Sequence, residues 1–212
     1  MPKREQLFSE LQNPEDYGIL LTVQVGGVPN ELQLLIETAV YDAAASGLRP
    51  RNNYIVRALG VREHLITLGV FGGLQLTGDH PLLYHHNTPR FAIHFEGKPD
   101  RLHEAVLDIS QAYASTFGVW RHISEISADL NRAVPLVDLL SSGEGLLGVM
   151  PKPLADRMVR VLEHHHMTAT MQEAEPFSES DEHGRSRRSE LLLIDQTYVI
   201  ALAFSVEVMG QI

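Results

Sequence analysis

The chain has 212 residues, of which 44% are hydrophobic and 21% are charged, and its formal net charge is −10. This composition supplies enough apolar side chains for a packed core and argues against a disordered chain. Binding to a nucleic-acid backbone depends on lysine and arginine, so the excess of acidic residues disfavours a nucleic-acid partner.

The sequence contains no cysteine, which excludes disulfides, thiolate metal ligands and a cysteine nucleophile. Its first residues are polar and lack the apolar region of a secretory signal. No segment approaches the roughly 20 consecutive apolar residues that a membrane-spanning helix needs. We therefore expect a soluble, cytoplasmic protein that does not enter a membrane.

The N-terminal part of the chain predicts two elements. Two leucines at helical spacing indicate a short helix or a loose arm within residues 1–17. The β-rich run at 19–25 predicts a buried strand, and Gly26 and Gly27 close it.

A helix is predicted immediately after this strand. Pro29 suits the first turn of a helix, because its missing N–H is not needed there. Asn30 can cap the helix. The apolar residues that follow recur at the i, i+3, i+4 and i+7 positions of an amphipathic helix. They are Leu32, Leu35, Ile36, Ala39, Val40 and Ala43.

This strand, corner and helix pattern occurs twice, 70 residues apart. Gly27 aligns with Gly97, and Asn30 aligns with Asp100. Strands followed by helices, together with hairpins, favour helices on one face of a mixed, largely antiparallel sheet. We therefore predict an α+β fold with ferredoxin-like, duplicated strand–helix units.

Glycines and runs of β-branched residues divide the rest of the chain into short elements. Strands are predicted at 54–59, 65–70, 74–77, 91–95, 145–150 and 168–173, and 191–208 is predicted as two strands or one bent strand. Helices are predicted at about 101–116, 130–140 and 154–165. The polar segment 175–190 has too few apolar residues to order itself, so it is predicted as a mobile loop.

The domain organisation predicted from these elements is an arm at 1–17, a first α+β unit at 18–128 and a second at 129–212, with one continuous domain as the alternative. The passage 145–173 resembles the closing strand–helix–strand of the C-terminal domain of the aminoimidazole-ribotide synthetase family. The glycine-rich and acidic ATP-site motifs of that family are absent from this sequence. The resemblance therefore implies a local fold, with no activity and no site residue.

Histidines are concentrated between residues 80 and 94. Imidazole and carboxylate groups are common ligands of divalent metals. Asp79, His80, His86 and His94 are therefore candidate ligands of a divalent metal, with His85 as an alternative to His86. Their spacing fits no compact metal motif, so the competing interpretation is a polar loop with ordinary hydrogen-bonded histidines.

The two glycine–proline corners provide a second candidate site. Backbone amides at a helix N-terminus attract anions, so Gly26, Gly27, Asn30, Gly97 and Asp100 are predicted to bind a small anion. The competing interpretation is a pair of tight turns without a ligand.

Three functions remain open at this point. The leading hypothesis is a non-catalytic or regulatory protein that self-associates, preferably as a dimer, and binds a small anionic metabolite or a protein partner. The second is a metal-dependent hydrolase or lyase that uses the segment 80–94. The third is a structural protein that assembles into larger oligomers.

Overall fold

The computed structural model describes residues 3–178, 180, 183–184 and 187–209. The α-helices in this part are α1 (Lys3–Ser9), α2 (Tyr84–Asn87), α3 (Leu102–Phe117), α4 (Leu136–Ser142) and α5 (Lys152–His164). The strands are β1 (Asp16–Val25), β2 (Glu31–Asp42), β3 (Gly47–Leu59), β4 (Glu63–Leu65), β5 (Gly69–Phe71), β6 (Leu74–Thr77), β7 (Arg90–Glu96), β8 (Glu144–Pro151), β9 (Thr168–Glu175), β10 (Glu190–Ile194), β11 (Thr197–Ala201) and β12 (Ala203–Met209).

The chain divides into two compact units. The β unit comprises Met1–Asp79 and Gly184–Ile212, and the α/β unit comprises His80–His183. The sequence predicts a boundary at residue 128, whereas the packing of the backbone divides the chain at 79 and 184. The β unit is therefore built from both ends of the chain.

The β unit contains two antiparallel sheets. Their strand orders are β12-β3-β2-β1-β5 and β4-β11-β10-β6. Alternate residues of the strands supply a common apolar core, as the two-residue period of a strand requires. Its fully buried members include Leu34, Ile36, Tyr54, Ala58, Val199 and Ala201.

The predicted helix after Asn30 is wrong, because this segment forms strand β2. Asn30 has φ = 58° and lies in the turn between β1 and β2, so it does not cap a helix. The twelve residues of β2 pair along their length with β1 on one side and β3 on the other. This pairing outweighs helical spacing, because the same apolar residues also fit a strand that is buried on one face.

The α/β unit contains a three-stranded antiparallel sheet with the order β8-β7-β9. Because β8 and β9 both run antiparallel to the central β7, they run parallel to each other, and α5 makes the crossover between them. The inward residues of β7 pack against α3 and α5. The buried members of this core include Ile93, Phe95, Ile109, Tyr113, Leu154 and Met158.

Most of the elements predicted for the α/β unit are confirmed. Strands at 91–95, 145–150 and 168–173 and helices at 101–116 and 154–165 match β7, β8, β9, α3 and α5 within a few residues. The helix predicted at 130–140 is shorter and begins after Pro135.

The α+β class and the largely antiparallel sheets are confirmed, but the ferredoxin-like duplication is not. Leu32 lies in strand β2, whereas its aligned residue Leu102 begins helix α3. The two copies of the pattern therefore form different structures.

Three further predictions differ in detail. The strand predicted at 65–70 is divided between β4 and β5, and the C-terminal segment forms β10, β11 and β12. The predicted loop 175–190 follows the end of β9 and precedes β10. Within it, residues 179, 181–182 and 185–186 lie outside the described part of the chain.

A polar network holds the N-terminal segment against the β2–β3 hairpin of the β unit. Thr38, which is fully buried at a break in the β2–β3 register, donates its hydroxyl proton to Glu10 at 2.6 Å. The Asn52 side-chain amide donates to the other Glu10 oxygen at 2.7 Å. Burial alone raises the pKa of Glu10, but its side-chain hydrogen bonds, first among them the one from Thr38, together outweigh burial and hold the pKa below its usual value of 4.5.

Acid should weaken the β unit through Glu10. Between the lowered pKa and 4.5, the unfolded chain binds more protons than the folded chain, so stability falls as the pH falls through this window. We expect Glu10→Gln to reduce the free energy of unfolding by about 1–2 kcal/mol at neutral pH, since one charge-assisted acceptor is lost. The difference from the wild type should shrink below about pH 4.5, as urea unfolding at several pH values measures.

Glu5→Gln is the matched control, because Glu5 is exposed on α1 and makes no hydrogen bond or ion pair with any other described residue. It should change stability little at any pH. An equal loss in the two variants, or a Glu10→Gln effect that grows in acid, would contradict this account.

Candidate functional site

The first glycine–proline corner is the turn of a hairpin, and Glu31 occupies its amides. The Gly26 N–H donates to the Glu31 carbonyl at 2.9 Å, and the Val28 N–H donates to the Glu31 carboxylate at 3.3 Å. A Cβ atom on Gly26 would lie 2.2 Å from Glu31 Cδ, so glycine allows this side chain to lie against the turn. The chain thus supplies its own anion here, and no helix begins at Gly27 or Asn30.

The second corner does precede a helix. Gly97 has φ = 104°, a conformation that favours glycine, and its N–H donates to the Gly143 carbonyl at 2.7 Å. Asp100 is exposed just before α3, and Arg101 at the cap position makes no side-chain capping bond. Gly27 belongs to the β unit and Gly97 to the α/β unit.

The histidine-rich segment does not gather into one cluster. The His80 side chain accepts the Leu82 N–H at 3.3 Å, and its ring meets Trp120 edge to face. His86 lies in α2, and His94 is exposed on β7. Among the described residues, no three histidine or carboxylate side chains converge on one metal position.

A hydrogen-bonded pair in the α/β unit joins the buried Asp129 to His85, which the sequence predicts only as an alternative metal ligand. His85 Nε2 lies 2.9 and 3.0 Å from the two oxygens of Asp129, whose side chain is 1% exposed. Arg90 lies 3.8 Å from the same carboxylate. The His85 ring stacks on Phe117 at 5.3 Å, so the pair ties α2 and the segment before α4 to the end of α3.

Gly148 allows Asp129 to reach this position. The Val149 N–H donates to the Asp129 carbonyl at 2.9 Å, and Leu130 bridges to Gly148 on the edge of β8. A Cβ atom on Gly148 would lie 2.0 Å from the Asp129 carbonyl oxygen. Close approach of two backbones is a reason for glycine in a strand.

A groove between α3 and α5 brings together residues that the sequence did not predict as a site. It has a volume of about 390 Å³. Each helix presents one stripe to the groove at i, i+3, i+4 and i+7, the spacing of a single helical face. The stripes are Asp108, Gln111, Ala112 and Ser115 on α3, and Arg157, Arg160, Val161 and His164 on α5.

Two contacts across the groove fix the direction of the helices. Arg157 donates to the Ser115 hydroxyl at 3.0 Å, and His165 lies 2.8 Å from the Asp108 carboxylate. Since low numbers on one helix meet high numbers on the other, α3 and α5 run antiparallel. The hydrogen bond to Ser115 also holds the Arg157 guanidinium over the groove.

The charges around the groove favour an anion. Arg157 and Arg160 contribute two guanidinium groups, while the single lining carboxylate, Asp108, already contacts the buried His165. Arg160 makes no hydrogen bond or ion pair with any other described residue. One guanidinium is thus positioned by the protein and the other is available to a ligand.

A larger cavity of about 480 Å³ lies on the outer face of the three-stranded sheet. Glu96 and Glu144 are directly opposite each other in the β7–β8 register, with His94 on the same face. Two facing carboxylates repel an anion, so this cavity suits the anion hypothesis less well than the α3–α5 groove, although it is larger.

The comparisons with known proteins assign no relative. The chain matches no protein-family model, and it has no significant match among curated proteins or solved structures. In the described part of the chain, no helix is long and apolar enough to cross a membrane.

The close approach at Gly148 predicts a specific sensitivity to a methyl group. Gly148→Ala should reduce the free energy of unfolding by about 1–3 kcal/mol, because Asp129 and its neighbours must move away from β8. Urea unfolding of the full chain measures this loss.

Gly78→Ala is the control, since a Cβ atom on Gly78 would have no neighbour within 4 Å. It should unfold close to the wild-type midpoint. Equal losses in the two variants would show that glycine at 148 has no special steric role.

Proposed function

We propose that this chain is a non-catalytic binding protein that self-associates and holds a small anionic molecule in the α3–α5 groove. The observation that carries the proposal is the pair of arginines, Arg157 and Arg160, on one face of α5 beside the polar stripe of α3. This site replaces the glycine–proline corners as the proposed location of the anion.

Arginine chemistry supports an oxyanion as the ligand. A guanidinium group presents N–H donors in a planar fork that matches a carboxylate or a phosphate. Arg157 and Arg160 are three residues apart on a helix, so their side chains project from neighbouring positions on the same face. The Ser115 hydroxyl and the Gln111 amide add neutral hydrogen-bonding groups on the opposite wall.

The dimensions of the groove support a small ligand. A volume of about 390 Å³ falls near the lower end of the roughly 300–1,000 Å³ range of small-molecule sites. Ala112 and Val161 supply an apolar floor between the charged and polar walls. Both arginines are exposed, so solvent and salt screen their attraction for the ligand. We expect dissociation constants in the micromolar range or weaker, and weaker still at high ionic strength.

No contact in the described part of the chain favours a metal-dependent hydrolase or lyase over an anion-binding protein. The preference for a dimer remains part of the proposal, and so does a cytosolic setting, which the absence of cysteine supports. Assembly into larger oligomers remains a separate prediction that light scattering tests.

The arginine pair gives a direct test of binding. Arg160→Gln and Arg157→Gln should each weaken binding of inorganic phosphate or citrate at least about tenfold, because each removes one charge-assisted contact. Isothermal titration calorimetry of the full chain at low salt measures the change, and raising the salt concentration should weaken wild-type binding.

Arg101→Gln is the matched control, since Arg101 pairs with Glu104 and is exposed before α3, outside the groove. Its affinity for the anion should equal that of the wild type. Anion binding that survives both groove substitutions, or that falls equally in Arg101→Gln, would place the site elsewhere. No binding of either anion by the wild type would overturn the proposed site.

A further inference from the structure

We propose that a second copy of this chain pairs antiparallel with the outer edge of β9, which joins the two α/β units into a continuous six-stranded sheet. The inference rests on the self-association in the proposed function and names the surface that mediates it. It is independent of whether the α3–α5 groove binds an anion.

The two edges of the three-stranded sheet differ. At the β8 edge, the segment from Asp129 to Asn131 covers the strand: the Val149 N–H donates to the Asp129 carbonyl, and the Asn131 N–H donates to the Leu147 carbonyl at 2.8 Å. At the opposite edge, β9 pairs with β7 on its inner side, and no other described strand pairs with it. One edge is thus covered by the chain, while along the other no described strand pairs with the outward backbone donors and acceptors of β9.

Protection of this edge is confined to the C-terminal end of β9, where Glu173 and Glu175 are charged and the register with β7 is irregular. Natural proteins commonly protect an open edge with lysine, proline or an inward-pointing charge. The five residues from Thr168 to Gln172 contain none of these. Met171 is 39% exposed although it is apolar. A strand with these properties is suited to pairing with another strand.

Symmetry restricts how two copies of β9 can pair. The two-fold axis of an antiparallel pair stands perpendicular to the sheet, so residues opposite each other must lie on the same face. The register centred on Met171 satisfies this condition and places Thr170 opposite Gln172 of the second copy. It also places Ala169 opposite Glu173, so carboxylates do not face each other across the junction.

Charge and burial together favour a second copy in this register. The two exposed Met171 side chains meet at the axis and cover each other, which removes apolar surface from water. The helices of both copies then lie on the same face of the combined sheet, and each α3–α5 groove remains within its own chain. A basic peptide on the same edge is the competing occupant, and a wild-type protein that is monomeric would favour it.

Paired charge substitutions test the register. Thr170→Lys combined with Gln172→Lys places lysines opposite lysines twice in each dimer, and we expect the dimer dissociation constant to rise at least about tenfold. Thr170→Glu combined with Gln172→Glu should weaken the dimer in the same way. An equimolar mixture of these two double variants should form a heterodimer, because each lysine then faces a glutamate.

Analytical ultracentrifugation of the full chain measures mass against the chain mass of 23.6 kDa. Circular dichroism and thermal unfolding show whether each variant remains folded, and Thr170→Lys combined with Gln172→Glu is a folded control that should still dimerise. A wild-type monomer at about 100 µM would overturn both this inference and the self-association. A wild-type dimer that both double variants leave unchanged would overturn the β9 interface alone. Anion titrations on the same samples report separately on the groove.

Discussion

The central strand β7 determines the geometry on which the candidate site depends. It pairs with β8 on one side and β9 on the other, and its inward Ile93 and Phe95 form the surface on which α3 and α5 pack. Because α5 crosses from β8 to β9 over this strand, its position relative to α3 follows from the sheet. The groove is therefore a consequence of strand pairing, although no strand residue lines it.

Helix α5 shows what sequence alone can and cannot establish about the site. Its buried Leu154, Met158 and Leu162 repeat at helical spacing, so the helix and its inward face could be predicted. Arg157 and Arg160 then fall on another face, which the same periodicity leaves to solvent. Their importance depends on the polar stripe of α3, and single-helix periodicity carries no information about which helix lies alongside.

The segment 31–42 shows a different limit. Its leucine and isoleucine positions satisfy a helical spacing, and the preceding proline and asparagine resemble a helix start, yet it is the central strand of the five-stranded sheet. The same apolar pattern is compatible with a helix and with a strand that is buried on one face. Pairing with β1 and β3 selects the strand, and the local sequence does not show that these partners are present. The apparent duplication failed for this reason, since only its second copy is followed by a helix.

The groove differs from the sites of buried charge in how fully its charged groups are satisfied, and this difference locates the candidate site. In the β unit, the buried Asp16 accepts from Arg51 at 2.8 Å and from the Asn13 side chain at 2.7 Å, and Glu10 is similarly surrounded by donors. Charges that are saturated by their own chain stabilise the fold and leave little capacity for a ligand. In the groove, Ser115 engages only one of the two guanidinium groups, so donor capacity remains at a position that the helices hold fixed. That remaining capacity is the physical reason to look for a ligand between α3 and α5 rather than at the glycine–proline corners.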